Sequence, residues 1–513
     1  MDFHSPSNPP ITSSVKELSK IPTEQGNVLL CVICTIAIVS VIGANVLMNC
    51  VTRYNAATSQ VRAWKESLVA AEGGGDIAYA EIRKTILDPS HAFSGWNYSA
   101  GIWTKAPVTF GANNLKTASK ADTFWVDVNG NPWYRVRAQG TAPVMGLKRT
   151  TMDDRMGPTT RGDSLLRKID FNYDHFAATY GPNGDNQNKS QVAVDSPQMN
   201  RRVELVIAPL TPFEAAIKAK GTFYGLGSAA YVDSYRSKNG AYNSNVKDDP
   251  SHPWFLDARS GNVEINSSVA TILGAIYGNV YTNGGLITKK TTNIYGIIDN
   301  NVPFNLENFQ MPDVTGWNYV SSPGVVSGNT TITPPSAGTV ANPNYYLLSS
   351  FSSSGNLTVN PYVVNGVAQE TYVAVHVTGD IGSSTGQGAT IVVPNKVHLR
   401  VYFDGNFGAK ANNIVNQSGF AGNLQFYGIS PTDPNVQQRI DLNSAGGSSA
   451  GFAAVFYAPS ADLTVNGSPD IYGSVVCRNF YANGNIHWHY DRDLANVGEA
   501  VDYRIASYVE DTR

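Results

Sequence analysis

The sequence is poor in charge and in cysteine, and both shortages exclude functions. Only 15% of the residues are charged, the formal net charge is -3 and the pI is near 6.2. Proteins that neutralise nucleic-acid phosphates need a basic excess, so nucleic acid is not expected as a partner. Three of the 4 cysteines, Cys31, Cys34 and Cys50, lie in one apolar stretch, which leaves Cys477 alone downstream. We therefore expect no disulfide within the downstream region.

Catalytic signatures are also scarce. The sequence contains no P-loop, no dinucleotide fingerprint and no H-E-x-x-H motif. Among the 8 histidines only His487 and His489 form a constellation, on one face of a strand, and zinc would need a further ligand from elsewhere. The alternative is a closing strand whose polar groups hydrogen-bond locally. We predict no catalytic residue, no cofactor and no metal, with His487 and His489 as the metal candidates if one binds, and we predict that the chain is not an enzyme.

The abundant residues favour short strands joined by tight turns. The chain has 47 Gly and 26 Tyr, with many Asn, Ser, Thr and Val residues. From about residue 220, short apolar runs alternate with Asn-Gly and Gly-Gly turns, and near the C-terminus such runs recur about every ten residues. The clearest runs are Ala454–Tyr457, Leu463–Val465, Ser474–Val476 and Ile486–Tyr490. This spacing predicts a mainly β fold built as a parallel β-solenoid, with an antiparallel β-sandwich as the alternative.

Local patterns add three predictions. The aromatic runs 124–128 and 133–137 flank Asn-Gly-Asn-Pro at 129–132, which predicts a hairpin. Alternation of apolar and polar residues over 396–403 predicts a strand with one wet face. The low-charge segment 321–354, rich in Ser, Gly, Thr, Pro and Asn, is predicted to loop out between strands.

An apolar run near the N-terminus predicts a membrane span. Val28 to Met48 is apolar apart from Thr35, Ser40 and Asn45, and no charged residue lies between Asn27 and Thr52. As a helix rising about 1.5 Å per residue, this run spans about 30 Å, the thickness of the hydrocarbon core of a bilayer. We therefore predict a transmembrane helix from Val28 to Met48.

The helical pattern continues beyond the apolar run. Apolar residues recur at three- and four-residue spacing and form one stripe: Tyr54, Ala57, Val61, Trp64, Leu68 and Ala71. Gly73-Gly74-Gly75 is predicted to weaken or kink the helix, because each helical glycine costs about 1 kcal/mol relative to alanine. Asp88-Pro89 is predicted to end it.

The charges beside the span do not set its orientation. Lys16 and Lys20 precede it, while Arg53, Arg62 and Lys65 follow it closely. The downstream β region, poor in cysteine and rich in Asn, Gly and Ser, is typical of an extracytoplasmic domain. From this composition, together with the resemblance described next, we predict a single-pass inner-membrane protein whose C-terminal region is extracytoplasmic.

The segment Glu24–Leu30, a polar leader ending in glycine and running into an apolar helix, resembles the N-terminus of prepilins. The stretch Gln60–Tyr79 resembles the minor pilins of the PilX type. This resemblance implies cleavage by a prepilin peptidase between Gly26 and Asn27 and implies pilin or pseudopilin subunits as partners. Major pilins carry phenylalanine and glutamate where this chain has Asn27 and Cys31, which argues against a major filament subunit.

A second resemblance concerns the β region. The segments 229–235, 452–460 and 489–491 are similar to a repetitive β domain that follows PilX-like N-termini in a family of uncharacterised bacterial surface proteins. This resemblance implies a cell-surface location and carries neither a ligand nor an activity.

These observations together predict the organisation and role of the chain. Residues 1–26 form a polar leader, 27–88 the transmembrane helix and its amphipathic continuation, 89–219 a β-rich exported region and 220–513 a repetitive β domain. The predicted role is a membrane-anchored minor pilin or pseudopilin-like structural protein, displayed at the cell surface or in a pilus, that is adhesive or primes assembly. The alternatives are an unprocessed single-pass surface protein and a carbohydrate-active β-solenoid enzyme. Expected partners are the lipid bilayer, other pilin or pseudopilin subunits, a prepilin peptidase, and a surface glycan or protein ligand.

Overall fold

The computed structural model describes residues 25–111, 114–144, 198–266, 269–288, 293–302, 306, 311, 319–320, 322–383, 388–433, 435–444 and 452–511. Residues 1–24 of the predicted leader thus lie outside the described residues. The chain forms two compact units, one comprising residues 1–68, 110–115 and 141–200 and the other residues 69–109, 116–140 and 201–513. The fold is mainly β with a long N-terminal apolar helix, which confirms the predicted class at this level.

Two α-helices lie among the described residues: α1 (Gln25–Leu87) and α2 (Phe255–Ala258). The first strands are β1 (Asn97–Ser99), β2 (Ile102–Phe110), β3 (Leu115–Val126), β4 (Pro132–Pro143) and β5 (Gln198–Leu210). They are followed by β6 (Ile217–Ala219), β7 (Phe223–Gly225), β8 (Tyr231–Tyr235), β9 (Val263–Ile265), β10 (Val269–Thr271), β11 (Ala275–Ile276), β12 (Val280–Thr282), β13 (Leu286–Thr288) and β14 (Ile298–Asp299).

The second half of the chain contributes seventeen further strands. They are β15 (Gly324–Val326), β16 (Asn329–Ile332), β17 (Asn344–Phe351), β18 (Asn356–Val359), β19 (Val363–Val364), β20 (Val367–Ala368), β21 (Thr371–Val377), β22 (Thr390–Val393), β23 (Val397–Phe403), β24 (Phe407–Lys410), β25 (Ile414–Asn416), β26 (Leu424–Gly428), β27 (Arg439–Asn443), β28 (Phe452–Asn466), β29 (Asp470–Asn483), β30 (His487–Asp491) and β31 (Asp502–Asp511). Single 3-10 turns lie at Pro89–His91, Ser237–Asn239, Val246–Asp248, Ala411–Asn413, Ala421–Asn423 and Arg492–Asn496.

Helix α1 runs without interruption through its three glycines, so they do not end the helix there. The reason is packing: a Cβ atom at Gly74 would collide with Thr117 Oγ1, and one at Gly75 would lie 2.6 Å from Leu205 Cδ1. Ser119 Oγ also donates a hydrogen bond to Gly74 O at 2.7 Å. The glycines let the helix backbone approach strands β3 and β5 closely, and the helix ends at Leu87, before Asp88-Pro89, as predicted.

The buried face of α1 also differs from the predicted stripe. Tyr54, Val61 and Trp64 are 72%, 55% and 45% exposed. The buried residues of the helix are instead small, apart from one isoleucine: Ala63, Ser67, Ala70, Ala71, Gly74, Gly75, Ala78 and Ile82. Small side chains contribute little to a hydrophobic pattern, which is why the larger residues misled the interpretation of the sequence.

Six strands form a sheet in the order β1-β2-β3-β4-β5-β31. The predicted hairpin is confirmed as β3 and β4, whose connecting turn is held by Asp127, because Asp127 Oδ1 accepts from the backbone N–H groups of Asn129 and Asn131 at 2.8 and 2.9 Å. The C-terminal strand β31 pairs antiparallel with β5, with Tyr503 opposite Pro209. The end of the chain therefore returns to the sheet on which α1 packs.

Most of the remaining strands pair in parallel in a large sheet that we call the parallel stack, β6–β15, β17, β21, β23, β24 and β26–β30. One column of facing residues passes through it from strand to strand: Tyr346, Val375, Val401, Phe426, Phe456, Val475, Ile217, Val263, Val280 and Ile298. Nine of these residues belong to one continuous hydrophobic core. A smaller parallel sheet has the order β16-β18-β22-β25.

Chain order breaks once inside this column, between Val475 and Ile217. There β29 and β30 pair with β6, β7 and β8, strands that lie more than 250 residues earlier in the chain, and we call this pairing the junction. The predicted domain boundary at residue 220 falls between β6 and β7. The parallel stack is thus built from two chain segments that meet at the junction.

Two further predictions are settled in the parallel strands. The strand predicted at 396–403 is confirmed as β23. Tyr402, on the face predicted to be wet, is buried instead, and its hydroxyl donates a hydrogen bond to Glu499. The loop predicted at 321–354 is wrong, since this segment contains β15, β16 and β17. Its polar residues suit stacked strands because neighbouring strands offer partners, as where Asn356 Nδ2 donates to Asn329 Oδ1 at 3.2 Å.

Candidate functional site

The apolar part of α1 is built as a membrane-crossing helix requires. Among the described residues it is the one helix long and apolar enough to cross a membrane, and the side chains of its apolar window are not buried. Its polar groups find partners one turn back: Thr35 Oγ1 donates to Cys31 O at 2.7 Å and Thr52 Oγ1 to Met48 O at 2.8 Å. Because unpaired polar groups are costly in hydrocarbon, these bonds make the segment compatible with lipid.

The predicted cleavage site lies at the very start of this helix. α1 begins at Gln25, so the bond between Gly26 and Asn27 falls in the first helical turn. That turn contains no acidic residue that could stabilise its unpaired N–H groups. The first turn can therefore fray at low cost.

The other end of α1 is fastened to the C-terminal strand β31. Arg83 forms a bidentate ion pair with Asp502: Nε donates to Oδ1 and Nη2 donates to Oδ2, each at 2.6 Å. Tyr79 donates its hydroxyl to the backbone oxygen of Tyr503 at 2.6 Å. Directly before the glycines, Glu72 accepts a hydrogen bond from Tyr508 at 2.9 Å. These contacts couple the helix to the end of the chain through charge-assisted bonds, which are the stronger kind.

The two histidines singled out in the sequence lie at the junction. His489 is 1% exposed, and its Nδ1 lies 2.7 Å from Asp233 Oδ1. Asp233 Oδ2 accepts a hydrogen bond from the Tyr242 hydroxyl at 2.6 Å. On the other side, Asp470 Oδ1 lies 2.8 Å from His487 Nδ1 and 3.7 Å from His489 Nε2. We call these five residues the junction cluster.

Aromatic rings surround the junction cluster. The ring of Tyr231 stacks on His487 with centroids 4.3 Å apart, while the rings of Tyr242 and Tyr472 lie 4.0 and 4.8 Å from the His489 ring. These rings come from β8, from β29 and from the segment after β8. They shield the charges of the cluster from water, which strengthens its electrostatic interactions.

Burial and charge compete in this cluster. Burial alone would lower the pKa of His489, but its hydrogen bond to Asp233, its close contact with Asp470 and the charges of these carboxylates outweigh burial, so the pKa is raised. The contact with His489 is the main cause that lowers the pKa of Asp470. Burial and the Asp233 charge raise the pKa of Tyr242. The arrangement favours an imidazolium held between two carboxylates.

The side-chain contacts of the junction cluster connect β30 to β8 and to β29. The described ranges contain no group of three or more His, Cys, Asp or Glu side chains arranged to hold a metal ion. The hydrogen-bond partners of the histidines come from other strands, Asp470 from β29 and Asp233 from β8, whereas the sequence suggested local ones. Sequence reasoning missed Asp233 because it lies 256 residues from His489, although the Tyr-Val-Asp-Ser-Tyr run that contains it is distinctive.

Asp380 and Asp404, each beside a glycine, are the aspartates relevant to the enzymatic alternative. Asp380 Oδ1 accepts from the backbone N–H of Asn406 at 2.6 Å, and Asp404 Oδ1 lies 3.0 Å from His376 Nε2. Each carboxylate thus serves a contact between neighbouring strands.

Comparisons with known proteins describe parts of the chain. A family model described as "Domain of unknown function (DUF7305)" matches residues 324–497, the segment from β15 to just beyond β30. No curated protein matches the chain. Among solved structures, the competence-associated pilin ComZ from Thermus thermophilus is similar at 11% identity and a TM-score of 0.23, over 88% of this chain and 98% of that one. A TM-score this low supports no inference about fold or function.

Proposed function

We propose that the chain is a membrane-anchored structural protein of the minor pilin or pseudopilin type, which displays its parallel stack outside the cytoplasmic membrane. The observation that carries this proposal is the single uninterrupted helix α1. Its first part is apolar and exposed, and its last part is embedded in the six-stranded sheet. We propose that one helix, shared by the anchor and the folded domain, connects this domain to the membrane.

In this proposal the protein acts by packing its helix and by binding partners, with no catalytic step. The small-residue face of α1 and the contacts of Arg83 and Tyr79 with β31 fix the last part of the helix to the sheet. We propose that the parallel stack is a β-solenoid, because residues of successive strands face each other in one column. Such a solenoid offers a long lateral surface for a partner.

Processing by a prepilin peptidase is the second element of the proposal. Cleavage between Gly26 and Asn27 would remove the leader and leave Asn27 as the mature N-terminus. Its support is positional, since Gly26 is the last small residue before the apolar run and presents no side chain to obstruct an active site. Asn27 and Cys31 at the first and fifth mature positions favour a minor, tip or priming subunit.

The test is the mature N-terminus of the full chain, measured by mass spectrometry on protein from its native membrane. Gly26→Leu should retain residues 1–26, whereas wild type should begin at Asn27. Gly43→Leu is the matched control, because Gly43 lies in the same helix with nothing within 4 Å of an added Cβ. Wild-type protein recovered with its leader attached, from cells with an active peptidase, would refute processing and favour an unprocessed single-pass surface protein.

A further inference from the structure

A cleft of about 470 Å³ lies where the ends of several stacked strands meet. Tyr372 and His398 begin β21 and β23 on one wall, and their rings stack with centroids 4.4 Å apart and planes 8° apart. Asn496, in the turn after β30, lines the opposite side and is tied to the tip of the β3–β4 hairpin by a hydrogen bond from Asn129. The volume falls within the range of small-ligand sites, about 300–1,000 Å³.

The lining is mixed in character. Phe420 and Val497 contribute apolar surface. The Tyr372 hydroxyl and the Asn496 carboxamide form no hydrogen bond within the part of the chain that the structure describes. A purely apolar ligand would leave both groups unpaired, and desolvating them would cost free energy. The cleft therefore suits a ligand that has apolar faces and hydrogen-bonding edges.

Every charge that faces the cleft already has a partner of opposite sign. Arg400 donates to Glu499 at 3.0 Å, and His398 Nε2 lies 2.9 Å from Glu370. Lys238 Nζ lies 3.7 Å from Asp493, whose side chain is 4% exposed and also accepts from the Ser237 hydroxyl. An acidic ligand would have to compete with carboxylates for Arg400 and Lys238, so the electrostatics favour a neutral one.

We propose that this cleft binds a neutral sugar unit, with Tyr372 and Asn496 donating to or accepting from its hydroxyl groups and Phe420 and Val497 contacting its C–H faces. A sugar ring combines apolar C–H faces with a rim of hydroxyls, which is the chemistry that the lining requires. This inference names a ligand class for the binding surface of the proposed function. It concerns the folded stack alone, so it holds or fails whether or not the leader is cleaved.

The test uses the full chain in detergent micelles and titration calorimetry. The probes are glucose, galactose, mannose and N-acetylglucosamine with their disaccharides, glucuronic acid as an acidic comparator and N-acetylphenylalanine amide as an apolar one. Tyr372→Phe and Asn496→Ala should each weaken binding of the neutral sugar about five-fold, the effect of one lost hydrogen bond. Tyr224→Phe and Asn412→Ala, at exposed positions outside the cleft, are the matched controls and should bind as wild type does.

Each outcome of this experiment either supports or overturns the proposal. Saturable binding of a neutral sugar that is weakened by both cleft variants and by neither control would support the proposal. Binding of no neutral sugar would overturn it, as would tighter binding of glucuronic acid or of the phenylalanine amide. Sugar binding that the cleft variants leave unchanged would place the site elsewhere and overturn the assignment to this cleft.

Discussion

The six-stranded sheet with its helix and the parallel stack hold together by different means. In the first region, Gly74 and Gly75 let the helix backbone lie against side chains of the sheet, and polar contacts such as Arg83 with Asp502 connect the helix to β31. In the stack, large apolar side chains face each other from strand to strand, and rings such as Phe426 and Phe456 stack 4.7 Å apart. Close approach of small residues stabilises the one region, and burial of large apolar surface stabilises the other.

This difference predicts which kind of substitution destabilises each region. A stack of large side chains loses most from a cavity, because the removed ring leaves its neighbours without contacts. A close contact between glycine and side chains of the sheet loses most from added volume, because there is no space for a larger side chain. Substitutions of opposite kind should therefore damage the two regions selectively.

The largest effect is expected in the stack. Phe456→Ala should destabilise it by about 3–5 kcal/mol, since Phe456 is 1% exposed and packs between Phe426 and Phe407. Hydrogen exchange of the full chain should speed up in β26, β28 and β29 and remain unchanged in β3–β5. Val436→Ala, at a 57% exposed position, is the control and should leave exchange as it is. Equal acceleration in both regions would mean that they unfold as one unit.

Added volume at the helix should destabilise the six-stranded sheet and leave the parallel stack unaffected. Gly74→Leu should cost about 3 kcal/mol, because its side chain would collide with Thr117 and lie against Ser119 and Ala138. Exchange should then accelerate in β3–β5 and β31, with the stack unaffected. Gly43→Leu adds the same volume to the same helix with nothing within 4 Å of the Cβ, so it separates packing from helix propensity. A similar loss in both variants would contradict the packing explanation.

The sequence predicted the stack better than the packing of the helix, for a physical reason. Short apolar runs at regular spacing are visible because each strand buries Val, Leu, Ile or Phe, as β23 does. The face of α1 that packs on the sheet consists mainly of alanine and glycine, whose weak hydrophobic signal was overshadowed by exposed Tyr54 and Trp64. The same glycines resemble helix breakers, since propensity counts only their cost within the helix and omits the close packing on the sheet that they allow.

Contacts between residues that are far apart in the sequence could not be predicted from the sequence alone. The pattern His487-x-His489 was visible, yet its meaning depends on Asp233, which the junction brings from 256 residues away. Segment 321–354 was mistaken for a loop because Ser, Thr and Asn signal turns when strands are considered singly. In stacked strands the same residues bond to their counterparts on the neighbouring strand, as Asn356 does to Asn329.

The junction cluster should make the contact between the two segments of the stack sensitive to pH. The pKa of His489 is raised in the folded protein, so its contribution is fully present below the unfolded value of about 6.5 and is lost as pH rises through the folded pKa. The pKa of Asp470 is lowered, so its contribution is present above the unfolded value of about 4 and is lost at lower pH. The cluster should stabilise the junction most between these two limits.

His489→Gln should therefore cost about 2 kcal/mol near pH 6, the effect of a lost hydrogen bond to a charged group, and less as the pH rises. The measurement is the difference in unfolding free energy between wild type and variant across pH, so that other titrating groups, such as the buried Asp491, cancel. His398→Gln is the matched control, since His398 also pairs with a carboxylate but is partly exposed. A difference that stays constant across pH would show that His489 is neutral throughout.

The smallest effect is expected at Cys477, which lies in the junction opposite Ala219 of β6. It is fully buried, its Sγ lies 3.8 Å from Lys218 O, and burial raises the pKa of its thiol. Cys477→Ser should cost no more than about 1 kcal/mol, because the serine hydroxyl can donate to the same oxygen. The comparison is made in a chain whose Cys31, Cys34 and Cys50 are replaced by serine, which leaves Cys477 as its single thiol.

In that background the unfolding free energy should be the same in reducing and in oxidising buffer, both with Cys477 and with serine in its place. A thiol reagent should modify Cys477 only when denaturant opens the junction, because the reactive thiolate is disfavoured by burial. Rapid modification of the folded protein would mean that the junction opens locally while the rest of the stack stays intact. A large redox-dependent loss of stability would instead require a partner for this thiol, either another chain or a bound metal, and would contradict a purely structural role for Cys477.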